Sequence, residues 1–172
     1  FDFSMANAYP FFSHDAFSEI KAYTPDALRP VLQDPSFRDR FRASVAAPRP
    51  GMIFQGNWDQ VTIAVPALES HRDLMNLTIA DYARAKGADP LDAMLDLSLE
   101  EDLATTFIGR FLNVGDDGVG RLLRHEAGVV ALSDAGAHLV FMCDAGYGLH
   151  FLAHWVRERG EFELAEGVRR LT

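Results

Sequence analysis

The sequence predicts an α/β fold in which helical segments connect buried strands. Residues 1–6, Val61–Val65 and residues 128–132 are short apolar runs with the composition of strands, and residues 128–132 (GVVAL) read as a strand covered on both faces. Long helical segments lie between these runs. Helical crossovers between buried strands favour parallel pairing, and in barrels of that kind the chemistry lies just past the C-terminal end of a strand.

The first third of the chain combines an aromatic strand with proline-interrupted turns. Residues 1–12 read FDFSMANAYPFF, which predicts a buried strand over residues 1–6 and then a turn at Tyr9-Pro10. Residues 13–33 are expected to form loop and short helical turns because Pro25 and Pro30 interrupt them.

Helix-start signals mark the middle of the chain. Asp34-Pro35 combines an N-cap with a proline at the first helical position, and Phe37 and Phe41 then recur on one face until Pro48 ends the helix. Asp89-Pro90 opens another helix in the same way. A helix is also expected over residues 78–86, with Gly87 as its stop.

The remaining elements follow from composition and spacing. Residues 52–54 and 107–112 are predicted as strands in addition to Val61–Val65, and residues 119–124 as a short helix. The last helices are expected over residues 149–159 and 164–171.

Composition and charge limit the functional classes. The chain has 172 residues, which suits one domain with a real core. Its net charge of −9 disfavours nucleic-acid binding, which needs a basic face. No apolar run is long enough to span a membrane. A single cysteine, Cys143, excludes an internal disulfide, so a cytoplasmic location is expected.

Asp134 is the strongest candidate for a functional residue. It directly follows the predicted strand GVVAL, and the small residues after it allow a ligand to approach. A carboxylate at a strand end could ligate a metal or transfer a proton from metal-bound water. From spacing alone, Asp134 is equally explained as the cap of a following helix.

The histidines give weaker signals. His138, four residues after Asp134, could bind substrate or be a hydrogen-bonded loop residue. His150 and His154 have the i, i+4 spacing of a zinc pair, but the apolar sequence HFLAHW favours packing over a metal site. His14, His71 and His125 stand singly and are expected on surfaces or loops.

The C-terminal segment resembles a known family. It reads LSDAGAHLVFMCDAGYGLHFLAHWVRERGEFELAEGVRRLT. This is similar to the amidohydrolase superfamily, in the branch of D-aminoacylase and other N-acyl-D-amino-acid deacylases. Two upstream segments, LQDPSFRDRFR and TIADYARAKGADPLDAMLDL, resemble the same branch, so the likeness covers residues 9–172.

The resemblance implies a fold and a chemistry. The family fold is a (β/α)8 barrel with zinc at the C-terminal strand ends, where zinc polarises a scissile amide and activates water. Asp134 occupies the position of the aspartate that carries the water's proton to the leaving nitrogen, and it is implied as a metal contact as well. Ser133, Gly136 and His138 match the surrounding motif as residues that form the substrate pocket.

The departures from the family pattern are as informative as the matches. The chain contains no His-x-His pair, and its six histidines do not supply the family's zinc ligands. A full barrel needs about 250 residues. We therefore expect residues 1–172 to be one segment, the C-terminal part of an amidohydrolase catalytic domain, which alone neither binds zinc tightly nor hydrolyses amides. Such an incomplete barrel is expected to self-associate or to depend on the missing part.

Two further interpretations stay open at this point. The chain is alternatively a non-catalytic remnant that acts as an interaction or structural subunit. A third interpretation, a small metal-free hydrolase built on Asp134 and His138, lacks a credible nucleophile in the sequence.

Overall fold

The computed structural model describes residues 1–131 and 146–172. The chain packs as two compact units, Phe1–Leu112 and Asn113–Thr172, and each is described by itself. Both helices and strands are present, as the sequence predicts. That all 172 residues belong to one catalytic domain stays a prediction.

A small antiparallel sheet organises the first unit. Its strands are β1 (Asp2–Phe3), β2 (Val61–Val65) and β3 (Thr106–Gly109), in the order β1-β3-β2. Both neighbours run antiparallel to β3. The parallel pairing expected from the sequence is therefore wrong for these three strands.

The reason lies in the connection between β2 and β3. After the 3-10 helix Glu69–Leu74 it holds two α-helices, α4 (Ile79–Lys86) and α5 (Pro90–Glu100), which pack on each other and are joined by only three residues. A single crossover helix returns the chain to the starting end of a strand and gives parallel pairing. A helical hairpin returns it to the end it left, so the next strand runs back.

Two helices of the first unit, α5 and the helix after Asp34, begin where the sequence places their caps. The α-helices before β2 are α1 (Asp15–Ser18), α2 (Pro25–Gln33) and α3 (Pro35–Ala46). The Asp34 carboxylate accepts the Ser36 N–H at 2.9 Å, and the Asp89 carboxylate accepts the Leu91 N–H at 3.0 Å. Gly87 ends α4 in the left-handed region at φ 64°, as a C-terminal glycine does.

Two sequence predictions for this unit need correction. Pro25 does not interrupt structure but occupies the first turn of α2, where no N–H is needed. Pro30 lies inside the same helix, which the buried Leu28 and Leu32 hold in place. Residues 52–54 form no strand, although Met52 and Phe54 are buried.

Phenylalanines dominate the core of the first unit. Phe11 is fully buried, and its ring lies 5.1–5.5 Å from four other phenylalanine rings, centroid to centroid. These four are Phe3, Phe17, Phe41 and Phe54. Most of these contacts are edge-to-face, the arrangement in which the positive ring edge meets the negative face. One side chain therefore joins β1, α1, α3 and the loop after α3.

The regular elements among the described residues of the second unit are helices. The unit holds α6 (Asp116–Leu123), α7 (Tyr147–His150), which continues as a wider π-helical segment Phe151–Glu158, and α8 (Leu164–Leu171). The predicted helices in these three regions are confirmed within a few residues. The buried side chains of Phe151, Trp155 and Val156 form its core.

A buried arginine connects α8 to the C-terminal end of α6 and to the residues just after it. Arg170 is 8% exposed and donates hydrogen bonds to the backbone carbonyls of Leu123 and His125. Its guanidinium also bonds Glu166 at 2.7 Å. The hydrogen bonds of Arg169 and Arg170 lower the pKa of Glu166 to about 2.

The segment before Asp134 differs from the predicted strand. Residues 128–131 have no strand partner, and the Val129 side chain is 80% exposed. Val130 is partly buried against the core of the second unit, and its N–H donates to the Arg170 carbonyl oxygen at 3.0 Å. The prediction of a strand covered on both faces is therefore wrong for residues 128–131, because no strand of this unit is available to pair with them in the described part of the chain.

No helix in residues 1–131 and 146–172 is long and apolar enough to cross a membrane.

The cap of α3 gives a first test of this fold. Replacing Asp34 with Ala leaves the Ser36 N–H without its acceptor, and we expect a loss of about 1 kcal/mol of unfolding free energy. The measurement is urea unfolding followed by circular dichroism. Asp39→Ala is the matched control, since Asp39 lies on the same helix and its one ion pair, with Arg42, is exposed. Its expected loss is about 0.3–0.5 kcal/mol, and equal losses would contradict the capping role.

Candidate functional site

The residues predicted to carry the chemistry lie outside the described part of the chain. These are Ser133, Asp134, Gly136 and His138. The sequence places Asp134 at the end of a strand because residues 128–132 are predicted to be one. Residues 128–131 are not a strand, so that reason for assigning a function to Asp134 no longer holds. Its assignment now rests on the motif resemblance alone.

His150 and His154 stack on each other rather than point to a shared centre. Their ring centroids are 5.2 Å apart with an interplanar angle of 14°. His154 Nδ1 lies 3.3 Å from a Glu158 carboxylate oxygen, and its Nε2 lies 3.4 Å from Asp116. His154 also packs edge-on against the Trp155 ring at 5.2 Å.

The described residues do not fit a zinc centre. Within residues 1–131 and 146–172, no three His, Cys, Asp or Glu side chains are arranged so that they could hold a metal ion. The ligand set that the family resemblance implies is therefore not found among them, and no catalytic step through a metal is derived for these residues.

A buried carboxylate follows α5. The Glu101 side chain is fully buried and accepts four hydrogen bonds: from the N–H groups of Ala67 (2.8 Å) and Leu68 (3.2 Å), from Thr105 Oγ1 (2.6 Å) and from His71 Nδ1 (2.8 Å). Burial raises the pKa of Glu101, but the hydrogen bonds together outweigh it, and the pKa lies below its ordinary value.

The backbone just after Glu101 is strained. Leu103 is fully buried with φ 63°, in the left-handed region that a side chain other than glycine rarely adopts. Such a conformation costs about 1–2 kcal/mol and persists only where its surroundings hold it. Both carboxylate oxygens of Glu101 accept hydrogen bonds, and the donors on Ala67, Leu68 and His71 connect the chain after β2 to the end of α5. The carboxylate therefore acts as a structural clamp between these two segments.

A second buried polar group lies in the aromatic core. His14 has no exposed surface, and its ring packs edge-on against Phe41 at 5.4 Å. His14 Nε2 lies 3.1 Å from the Phe54 carbonyl oxygen, and Nδ1 lies 2.8 Å from Ser44 Oγ.

These two contacts fix the tautomer of His14. A carbonyl oxygen can only accept, so Nε2 carries the proton and donates to Phe54. In the neutral ring, Nδ1 is then an acceptor, and the Ser44 hydroxyl donates to it. Burial lowers the pKa of His14 below 6.5 despite the opposing bond to the Phe54 carbonyl, which keeps the ring neutral at pH 7.

Ser44 connects this pair to the surface. It lines a cleft of about 360 Å³ between α1 and the C-terminal end of α3. Arg40 and Arg49 line the same cleft, opposite in charge to Asp15 and Glu19. Arg49 is held by a 2.8 Å ion pair with Asp15. The cleft therefore contains the Ser44 hydroxyl, which is hydrogen-bonded to the neutral His14 ring, together with charged groups of both signs.

The sequence predicts that the three single histidines lie on surfaces or loops, and their environments in the structure differ from one another. His125 is exposed, as predicted, whereas His14 is a core residue and His71 is a partner of the buried Glu101. The signal for His14 is its position between Phe11 and Phe17, within an aromatic run typical of a core. Glu101 carries no such signal, because three of its four donors, on Ala67, Leu68 and His71, lie 30 to 34 residues earlier in the chain.

In comparisons with known proteins, no family model, no curated protein and no solved structure matched the chain.

The clamp role of Glu101 is tested by substitution with Gln. The amide of Glu101→Gln puts an N–H₂ group against donors that need an acceptor, so we expect a loss of about 2–4 kcal/mol of unfolding free energy. The control is Glu100→Gln, because the neighbouring Glu100 side chain is 54% exposed. Denaturant titration at neutral pH measures both, and similar small losses for the two variants would refute the clamp.

The buried, neutral His14 predicts a loss of stability on mild acidification. In the unfolded chain His14 takes up a proton near pH 6.5, whereas in the folded chain it does so only at lower pH. Since the unfolded state then binds more protons, stability is full above about pH 6.5 and falls as the pH drops towards the folded pKa. Chemical denaturation from about pH 7.5 to 5 should show this fall.

Two variants separate His14 from the other histidines. His14→Gln should reduce the fall in stability over this range, whereas His125→Gln, at an exposed position, should leave it unchanged. An NMR titration of the His14 ring gives a second readout, and an ordinary pKa near 6.5 for this ring would contradict the prediction.

Proposed function

We propose that this chain is the C-terminal part of a zinc-dependent amidohydrolase that cleaves the amide bond of N-acyl-D-amino acids or similar substrates. The observation that carries the proposal is the order of three sequence segments, LQDPSFRDRFR, TIADYARAKGADPLDAMLDL and the motif-bearing segment from residue 132 to 172. Each of these is moderately specific alone, and their common order is more specific than any one of them.

The local structure of these segments is compatible with the proposal. The first segment contributes the start of α3, and the second contributes α4 and α5. The third ends in the helices Tyr147–Glu158 and Leu164–Leu171. The described strands pair antiparallel, whereas the strands of a (β/α)8 barrel are parallel. The barrel fold is therefore part of the proposal and is not seen among the described residues.

In the proposed enzyme, Asp134 is the proton shuttle and a metal contact. Ser133, Gly136 and His138 belong to the pocket that holds the amide substrate. The zinc ligands have to come largely from other parts of a longer protein, because the described residues do not provide them. The chain by itself is then inactive.

A non-catalytic role as an interaction or structural subunit is the second candidate. It is favoured by the missing ligand set within the described residues and by large exposed apolar side chains in the second unit. Leu122, Val129 and Leu149 are between 69% and 80% exposed. Isolated exposed apolar residues are ordinary, but several on one small unit suit a surface that another protein chain covers.

The mass of the native product distinguishes the two candidates. A product near 50 kDa would place these residues in a polypeptide long enough for a complete barrel, since about 250 residues are needed for the barrel alone. A product near 19.1 kDa would refute the enzyme proposal and favour the subunit role.

The activity itself is tested on the native product with N-acetyl-D-leucine and N-acetyl-L-leucine. We expect zinc-dependent release of the D-amino acid, and Asp134→Asn should lower kcat by about 10²- to 10⁴-fold, the usual contribution of a proton-transferring group. Asp117→Asn, an exposed position on α6, is the control and should retain full activity. Unchanged kcat in Asp134→Asn would remove Asp134 from the reaction.

The isolated 172-residue chain gives the converse test. We expect neither tight zinc binding nor amide hydrolysis from it, measured by calorimetry with zinc and by the same assay. Zinc-dependent turnover by this chain would contradict the idea that its ligand set is incomplete.

A further inference from the structure

From the geometry around His14 we infer that Ser44 is a reactive serine, which His14 activates and which accepts an acyl group from a small ester bound in the cleft between α1 and α3. This site is independent of the proposed amidohydrolase function, because it uses no metal and none of residues 132–145. It lies wholly in the first unit.

The hydrogen-bond directions are those that nucleophilic catalysis needs. Ser44 Oγ donates to His14 Nδ1 at 2.8 Å, which leaves the oxygen lone pairs directed away from the ring. His14 Nε2 is tied to the Phe54 carbonyl oxygen at 3.1 Å, so the ring is oriented by a third group. A hydroxyl, a base and a group that orients the base make up the general arrangement of an activated nucleophile.

The surroundings hold His14 in its neutral form. Phe41 and Phe54 pack around the imidazole, with centroid distances of 5.4 Å and 6.3 Å. A neutral Nδ1 can accept the serine proton, whereas a protonated ring cannot. The aromatic core thus keeps the base available, and the ring cannot rotate away without breaking the Phe54 bond.

The cleft supplies access to Ser44 and two guanidinium groups, alongside the carboxylates of Asp15 and Glu19. His14 has no exposed surface, so the half-buried Ser44, which lines the cleft, is the part of the pair that a ligand can reach. Arg40 and Arg49 line the same cleft. Each guanidinium carries five N–H donors, which suit the negative charge that develops on a carbonyl oxygen under attack.

The proposed step is an acyl transfer to serine. Ser44 Oγ forms a bond to the carbonyl carbon of the ester, and its proton moves to His14 Nδ1. The bond from that carbon to the alcohol oxygen breaks. The departing oxygen is bonded to the carbon that Oγ attacks, which brings it next to Nδ1, and it takes the proton from Nδ1 as it leaves. The products are an acyl-serine, a free alcohol and neutral His14. A water molecule is not brought to Nδ1 in this way, because His14 has no exposed surface, so we expect the acyl-serine to persist.

The test uses p-nitrophenyl acetate as the probe with the full chain. We expect a burst of one p-nitrophenol per chain, a mass increase of one acetyl group, and peptide mapping of that group to Ser44. Labelling of Ser44 should be at least about 10²-fold faster than labelling of Ser70, an exposed serine on the 3-10 helix Glu69–Leu74.

Variants decide whether the pair is responsible. Ser44→Ala should abolish the burst, and Ser70→Ala should leave it unchanged, with circular dichroism confirming that both fold. Acetylation confined to lysines or the N-terminus, or a burst that survives in Ser44→Ala, would overturn the inference. His14→Gln should slow labelling at Ser44, and if that variant fails to fold, Ser44→Ala against Ser70→Ala still decides the question.

Discussion

The packing of Phe11 is the interaction on which the first unit depends. Its ring contacts phenylalanines from β1, α1, α3 and the loop after α3, so four separate pieces of chain meet on one side chain. The sheet beside it is small, with β1 only two residues long, and cannot supply a core by itself. Burial of a phenylalanine contributes about 1.5–3 kcal/mol, and edge-to-face contacts add to this. The elements are held together by this aromatic cluster more than by strand pairing.

The same cluster explains why His14 behaves differently from the other histidines. An imidazole packed among phenylalanines cannot be hydrated, so it stays neutral and must find protein partners for both nitrogens. The Phe54 carbonyl and the Ser44 hydroxyl are those partners. Glu101 shows the opposite solution, in which a buried carboxylate stays charged because four donors surround it. In both cases the buried polar group connects segments that are distant in sequence, and its protonation state follows from its partners.

Local signals in the sequence predicted α3, α4 and α5, and long-range contacts decided what the sequence could not predict. Asp34-Pro35, Asp89-Pro90 and Gly87 act within a few residues of themselves, and the helices begin and end where these residues indicate. Strand direction is not a local property. It depended on the fact that two helices rather than one separate β2 from β3, and a short αα-hairpin reverses the chain once more. The apolar run at residues 128–131 likewise has strand composition, but it has no partner strand among the described residues of its own unit, and composition alone does not create a partner.

The candidate sites differ in the same respect, namely whether their residues are adjacent in sequence or are brought together by the fold. The Asp134 motif could be recognised because its residues are adjacent in sequence, but a catalytic centre also needs groups brought from elsewhere, and the described residues do not supply a metal-binding set. The pair of His14 and Ser44 shows the reverse case, since 30 residues separate its members and no motif marks either one. They are brought together because Phe41 packs against Phe11 in the core. Phe41 lies one turn before Ser44 on α3, and Phe11 lies three residues before His14. A hydrophobic contact therefore sets the geometry of a polar one, and the aromatic residues that look purely structural in the sequence determine whether the serine can react.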